Sequence, residues 1–233
     1  MKAKSDLLSS ARFAIASPSA RTKGRRTTVR MPAAERRIQI LDKAFEFFSE
    51  YGLTAQTRAL ADACGVSQRL LYSLFPNKAA LINAVYEAEI AGVFKAVWFA
   101  QLRDRSLPVA QRLNRFYREY YDTVLTRRWM RLFLYASLAE VEMAPTFIAS
   151  IIKELLHTLM QETAHEAGLQ LPQDAAELQE IGWILHGAVS HLAIRRHIYH
   201  DRTPLPVDRV LTLQISLFLA GLPAVLPPLS VQR

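Results

Sequence analysis

Residues 57–78 read Thr57-Arg58-Ala59-Leu60-Ala61-Asp62-Ala63-Cys64-Gly65-Val66-Ser67-Gln68-Arg69-Leu70-Leu71-Tyr72-Ser73-Leu74-Phe75-Pro76-Asn77-Lys78. Two short helix-forming runs flank Gly65-Val66-Ser67, a tight turn. Ser67 is placed to cap the second run by accepting a backbone N–H bond, and Pro76 stops that run. Two short helices joined by a turn containing glycine form a helix-turn-helix pattern. Small Ala61 and Ala63 allow the helices to approach closely. Leu71, Leu74 and Phe75, at i, i+3 and i+4, are expected to face inward.

The opposite face then carries Gln68, Arg69, Tyr72 and Ser73. Glutamine pairs with adenine through two hydrogen bonds, and arginine does the same with guanine. Tyr72 and Ser73 suit phosphate contacts, which position a protein without specifying sequence. Lys78 is placed to reach a phosphate from the start of the next helix. Leu70 either meets a thymine methyl or joins the core, and its helical position favours the core. Arg58 either pairs with Asp62 at i+4 or touches DNA. Cys64 reads as a small core residue.

Working back, residues 33–51 form a first helix. Pro32 and Glu35 suit its start, and Gly52 suits its left-handed end. Its apolar face is read as Ile38, Leu41, Phe45 and Phe48. At this point residues 33–82 resemble the DNA-binding domain of the TetR family of bacterial transcriptional regulators. The likeness runs from Arg36-Arg37-Ile38-Gln39-Ile40-Leu41 through Ala44, Phe48 and Gly52. It continues through Leu60-Ala61, Ala63, Gly65-Val66-Ser67, Leu71-Tyr72 and Phe75-Pro76-Asn77-Lys78 to Leu81. Departures exist. Gln56 stands where the family has hydroxyl residues, so capping of the second helix falls to Thr54 or Thr57. Arg69-Leu70 replaces a Gly-Thr or Pro-Thr pair, and Leu74 replaces a common His or Tyr. The resemblance implies DNA contacts from Thr57, Arg58, Ser67, Gln68, Arg69, Tyr72, Ser73 and Lys78.

The 233-residue chain carries a net charge of +8, unevenly spread. Residues 1–32 hold eight lysines and arginines against Asp6 alone, and residues 83–233 are neutral. The basic stretch reads as a disordered arm able to lie on phosphates. A transit peptide, or a true start at Met31, are the competing readings. Leu7-Leu8 runs at once into Ser9-Ser10 and Arg12, so no secretory signal is expected. A lone cysteine rules out an intramolecular disulfide framework and fits a cytoplasmic, nucleoid-associated protein.

Beyond residue 82 the apolar period stays near 3.6, as in Leu113, Phe116, Tyr120 and Val124, or Leu178, Ile181, Leu185 and Val189. The predicted fold is all-α: a three-helix DNA-binding domain over 33–82 and a helical effector-binding and dimerisation domain over 83–233. By the same resemblance, helices near 174–199 and 207–222 form a homodimer interface. Gly182, Gly187, Ala188 and Ser190 suit close helix packing there. The uncharged stretch 210–229 contains Pro223, Pro227 and Pro228, which are expected to end the helix near Leu222, too early to span a membrane.

The effector, a small molecule, is expected against Trp98, Phe116, Tyr120, Trp129 and Phe133. Arg103, Arg127, Arg128 and Arg131 read as surface residues. His197 and His200 share a face, but no third metal ligand is evident. No catalytic constellation, metal or cofactor is expected. The reading is a repressor released from a palindromic operator by its effector. The alternatives are a nucleoid-associated DNA-binding protein without an effector and, less favoured, an enzyme.

Overall fold

The computed structural model describes residues 31–92, 94–139, 146–202 and 205–229. Of the expected basic arm, residues 1–30 lie outside the described residues. The described residues are helical with no strand, apart from one isolated bridge between Leu169 and Pro228. In order they form α1 (Ala33–Tyr51), α2 (Thr57–Ala63), α3 (Gln68–Leu74) and α4 (Lys78–Tyr86). Then come α5 (Ala96–Leu102), α6 (Val109–Thr123), α7 (Arg127–Leu138), α8 (Lys153–Ala167), α9 (Ala175–His197) and α10 (Val207–Val225). Wider π-turns continue α4 over Glu87–Ala91 and lead into α8 over Ile148–Ile152.

Local chemistry sets the breaks. Gly65 takes φ +67°. Its N–H bonds Asp62 O at 3.0 Å, while Val66 N–H bonds Ala61 O at 3.0 Å. That pair of bonds is the Schellman closure, which needs a left-handed residue. Gly168 ends α8 in the same way at φ +64°. Thr126 caps α7, Asp174 caps α9 and Asn77 caps α4 through side-chain oxygens.

Four expectations change. On α1, Ile38 is 68% exposed, and the buried set is Ile40, Ala44, Phe45, Phe47 and Phe48. Phe45 and Phe48 are buried as expected and Leu41 packs half-buried against the core, with Ile40, Ala44 and Phe47 widening the buried face. Ala61 is buried as expected, but Ala63 is exposed. Gly182 meets α8 of its own chain, since a Cβ there would lie 3.1 Å from Leu156 Cβ. Its small size serves the protomer. Finally, Pro223 does not end α10, which continues to Val225. Pro223 gives up one backbone bond and crowds the carbonyl four residues back, yet the helix continues two residues past it. By length and composition α10 is long and apolar enough to cross a membrane. Leu211, Ile215, Phe218 and Leu222, spaced along one face, are buried within the chain.

Beyond α4 much of the core is built on α6. Leu113, Phe116, Tyr117 and Tyr120 are buried there. Arg112, itself buried, donates to Glu162 at 2.8 Å and Glu166 at 3.1 Å, pinning α6 to α8. α4 runs through position 82 without a break.

Candidate nucleic-acid interface and effector cavity

The α3 helix is held by few side chains. Leu71 is its one buried residue, Phe75 is buried just beyond it, and Leu74 is half-buried. Ser67 Oγ accepts from Leu70 N at 3.2 Å, as the sequence predicts. Arg37 of α1 donates to Leu74 O at 3.1 Å, and its guanidinium lies 4.3 Å from the Phe75 ring centroid. Lys78 donates to Ala55 O at 2.6 Å, and burial lowers its pKa. The Phe-Pro-Asn-Lys run therefore has a physical role at each polar step. Asn77 caps α4, and Lys78 ties the start of α4 to the loop before α2.

This anchoring leaves Gln68, Arg69, Tyr72 and Ser73 exposed on one helix. Leu70 joins them at 37% exposure, so the core reading does not hold. With only Leu71 and Phe75 seated, Leu70 falls on the outer side. Ser73 Oγ donates to Leu70 O at 2.7 Å, a bond its proton must leave before it can donate to a phosphate. Arg58 is exposed and makes no ion pair among the described residues, so the alternative pairing with Asp62 is not formed. The α2 helix starts at Gln56 with no side-chain cap, and neither Thr54 nor Thr57 supplies one. Thr57 is half-buried at its first position. Cys64 packs inside with Sγ 3.9 Å from Ile40 O, and burial pushes its thiol up to about 11. It is a core residue, not a reactive one.

The five aromatic residues expected around an effector separate into two groups. Tyr120, Trp129 and Phe133 line one cavity of about 130 Å³ between α6, α7 and α9. Its wall also includes Phe147, Trp183, His186 and Ser190 and, among the described residues, carries no Asp, Glu, Lys or Arg. Trp98 and Phe116 are not in that wall. Their rings lie 5.8 Å apart in the core, and Trp98 Nε1 donates to Glu119 Oε2 at 2.8 Å. Phe116 sits one turn before Tyr120 on α6, under the α5 aromatic. His186 was missed as a wall residue. It is 2% exposed, and burial pushes its imidazole down to about 4. A histidine inside an apolar helix stripe was the signal available for it. Among the described residues, no three His, Cys, Asp or Glu side chains gather as a metal site.

Of the α7 arginines, Arg127 is exposed as expected and Arg128 and Arg131 are half-buried, and all three reach across to α1. Arg131 donates through Nη2 to Glu50 O at 3.0 Å and through Nε to Ser49 O. Arg128 pairs with Asp42 at 2.8 Å and lies 4.1 Å from the Phe45 ring centroid. Arg127 pairs with the Glu50 carboxylate. Gly52 ends α1 at φ +76°, and a Cβ there would already touch the Tyr135 ring at 3.5 Å. Arg103 bonds Thr158 Oγ1 at 3.1 Å instead of standing free. So α7 carries cavity-lining residues on one side and grips α1 with the other.

Residues 40–85 match the family model described as bacterial regulatory proteins, tetR family. The fold is shared with a TetR-like transcriptional regulator from Rhodococcus sp. RHA1, at 22% identity and a TM-score of 0.64. That match covers 83% of this chain and 98% of the other. A TetR family transcriptional regulator, PfmR, from Thermus thermophilus matches at 20% identity and a TM-score of 0.58, covering 78% and 98%. A tetR-family regulator from Streptomyces coelicolor matches at 20% and 0.57, covering 84% and 83%. No curated protein matches the sequence. The resemblance read from the sequence is therefore shown: a tetR-family segment at 40–85, within a fold common to TetR-family regulators.

Proposed function

We propose that this chain, with its tetR-family segment, is a dimeric, sequence-specific repressor released from its operator by a small effector. The observation that carries the reading is the recognition face of α3. Gln68, Arg69 and Leu70 stand exposed while Leu71 and Phe75 anchor the helix beneath them. Glutamine, arginine and an apolar side chain can read adenine, guanine and the thymine methyl in the major groove. Arg58 of α2, with Tyr72, Ser73 and Lys78, would hold phosphates, with Thr57 and Ser67 at the two helix starts.

Two recognition helices spaced about 34 Å apart read a palindromic site. The faces of α9 and α10 support such a dimer. Ile184 is 62% exposed and Leu217 74% exposed, and Gly187 has open space where a side chain would stand. An apolar face of this kind is stable in water when a second copy covers it. Release would follow from α7. An effector in the cavity presses on Trp129 and Phe133, and the same helix holds α1 through Arg128 and Arg131. The effector then favours an arrangement whose half-site spacing no longer fits DNA. The cavity favours this reading over an effector-independent nucleoid protein. Such a regulator works in the cytoplasm and needs no catalytic residue.

Mapping the chromosomal sites bound by the full chain tests the proposal. A small set of sites sharing a two-fold symmetric sequence is expected. Even coverage with no common sequence would overturn it.

A further inference from the structure

We infer that Arg37 of α1 is a positioning residue for sequence reading: it fixes the angle at which α3 meets the major groove. This role rests on the reading of α3 as the recognition helix.

A helix of seven residues does not hold itself in water. At about 1.5 Å of rise per residue, α3 is about 10 Å long, and its two ends are served by different elements. At the start, Ser67 Oγ accepts from Leu70 N at 3.2 Å. At the end, where carbonyls lack intrahelical partners, Arg37 Nη1 donates to Leu74 O at 3.1 Å. Leu71 is the buried residue of α3, and Phe75 is buried just beyond the helix. Both anchors lie at or past its middle. Gln68, Arg69 and Leu70, the reading residues, form the first turn and stand exposed.

A rod anchored towards one end moves most at the other. A tilt of about 10° about Leu74 displaces Gln68, about 9 Å away, by about 1.6 Å. The whole range of good hydrogen-bond lengths spans about 0.5 Å. A bidentate contact to a base edge is therefore lost when the far end of α3 shifts slightly. The joint at Leu74 decides whether the reading residues meet their bases.

Arginine suits this joint. A guanidinium donates in its own plane while its face covers a ring. Here Cζ lies 4.3 Å from the centroid of the buried Phe75 ring. One group thus holds both the last carbonyl of α3 and the residue that follows it. The support is firm as well. Arg37 leaves α1 one turn before Ile40 and Leu41, which pack into the core. Arg37 itself is exposed, so a direct phosphate contact is the competing role.

The test compares full-length wild type, Arg37→Met and Arg37→Lys on a duplex selected by the wild type and on a scrambled one, across a range of salt. Methionine keeps the stem and loses the bond and the charge. Lysine keeps the charge and loses the flat joint. Arg37→Met should lose about fivefold of the wild-type preference, the ratio one net hydrogen bond gives. Arg37→Lys should lose about threefold. Affinity for the scrambled duplex should stay within about twofold, and the salt slope should not change, because phosphate contacts set both. Arg37→Lys carries the comparison if Arg37→Met fails to fold. If Arg37→Met weakens both duplexes alike and lowers the log–log slope by about 0.9, Arg37 is a phosphate contact and the inference is overturned. Variants that melt earlier yet keep the full preference overturn it too, marking Arg37 as a prop of the fold. A wild type that binds both duplexes equally is a different failure, and overturns the reading of α3 itself.

Discussion

Arg131 donates from Nη2 to the carbonyl oxygen of Glu50 at 3.0 Å, fastening the helix that lines the cavity to the last turn of α1. The same guanidinium reaches Ser49 O, so it satisfies two carbonyls that a helix end leaves without intrahelical partners. Arg131→Met keeps the aliphatic stem and removes both bonds. We expect a loss of about 1–2 kcal/mol in urea unfolding. Arg127→Ala, which removes an exposed pair with Glu50, should cost no more than about 1 kcal/mol. Equal losses from both variants would contradict the assigned difference.

His186 sets an acid-side limit on stability. Burial lowers its pKa from 6.5 to about 4, so the unfolded chain takes up this proton first as pH falls. The stabilisation is present above pH 6.5 and is lost as pH drops towards 4, on the order of 3 kcal/mol in all and about 2 kcal/mol by pH 5. Half-buried His197 shifts the same way through burial and then the charge of Arg127. The difference between wild type and His186→Leu, measured by urea unfolding at pH 7 and pH 5, isolates His186. A variant that loses as much stability as wild type over that interval contradicts the assignment.

The dimer face is tested by Ile184→Glu with Leu217→Glu. Both residues are exposed in the protomer, so far-UV circular dichroism should stay unchanged. Light scattering should fall from twice 26.4 kDa to 26.4 kDa. A wild-type chain that scatters as a monomer at micromolar concentration removes the interface altogether.

The basic arm makes a separate prediction. Residues 1–30 hold eight lysines and arginines against Asp6. Deleting them should weaken DNA binding and flatten its salt dependence, by roughly 0.9 in log–log slope for each phosphate that the arm neutralises. The preferred sequence should not change. An unaltered slope would mean that the arm does not touch DNA.

Local signals were legible, and tertiary choices were not. Ser67, Gly65, Gly52 and the α3 face follow from short-range rules of capping, handedness and period. How the buried face of α1 is centred depends on where its neighbours lie, so Phe45 and Phe48 were placed correctly while Ile38 was misplaced and Ile40 missed. Leu70 turned outward because α3 is seated by only two fully buried side chains. The α7 arginines looked like solvated charges, since no local pattern shows that α1 ends opposite them. Aromatic enrichment alone does not separate a cavity wall such as Trp129 from a core plug such as Trp98.

The most direct test compares wild type with the Gln68→Ala, Arg69→Ala double variant, full-length, on a duplex selected by the wild type and on a scrambled duplex. Fluorescence anisotropy at fixed salt gives both affinities. The account predicts a wild-type preference for the selected duplex of about 10³-fold or more. It predicts that the variant, with unchanged melting temperature, loses at least about tenfold of that ratio. A variant that keeps the full preference would contradict the assignment of α3 as the element that reads DNA.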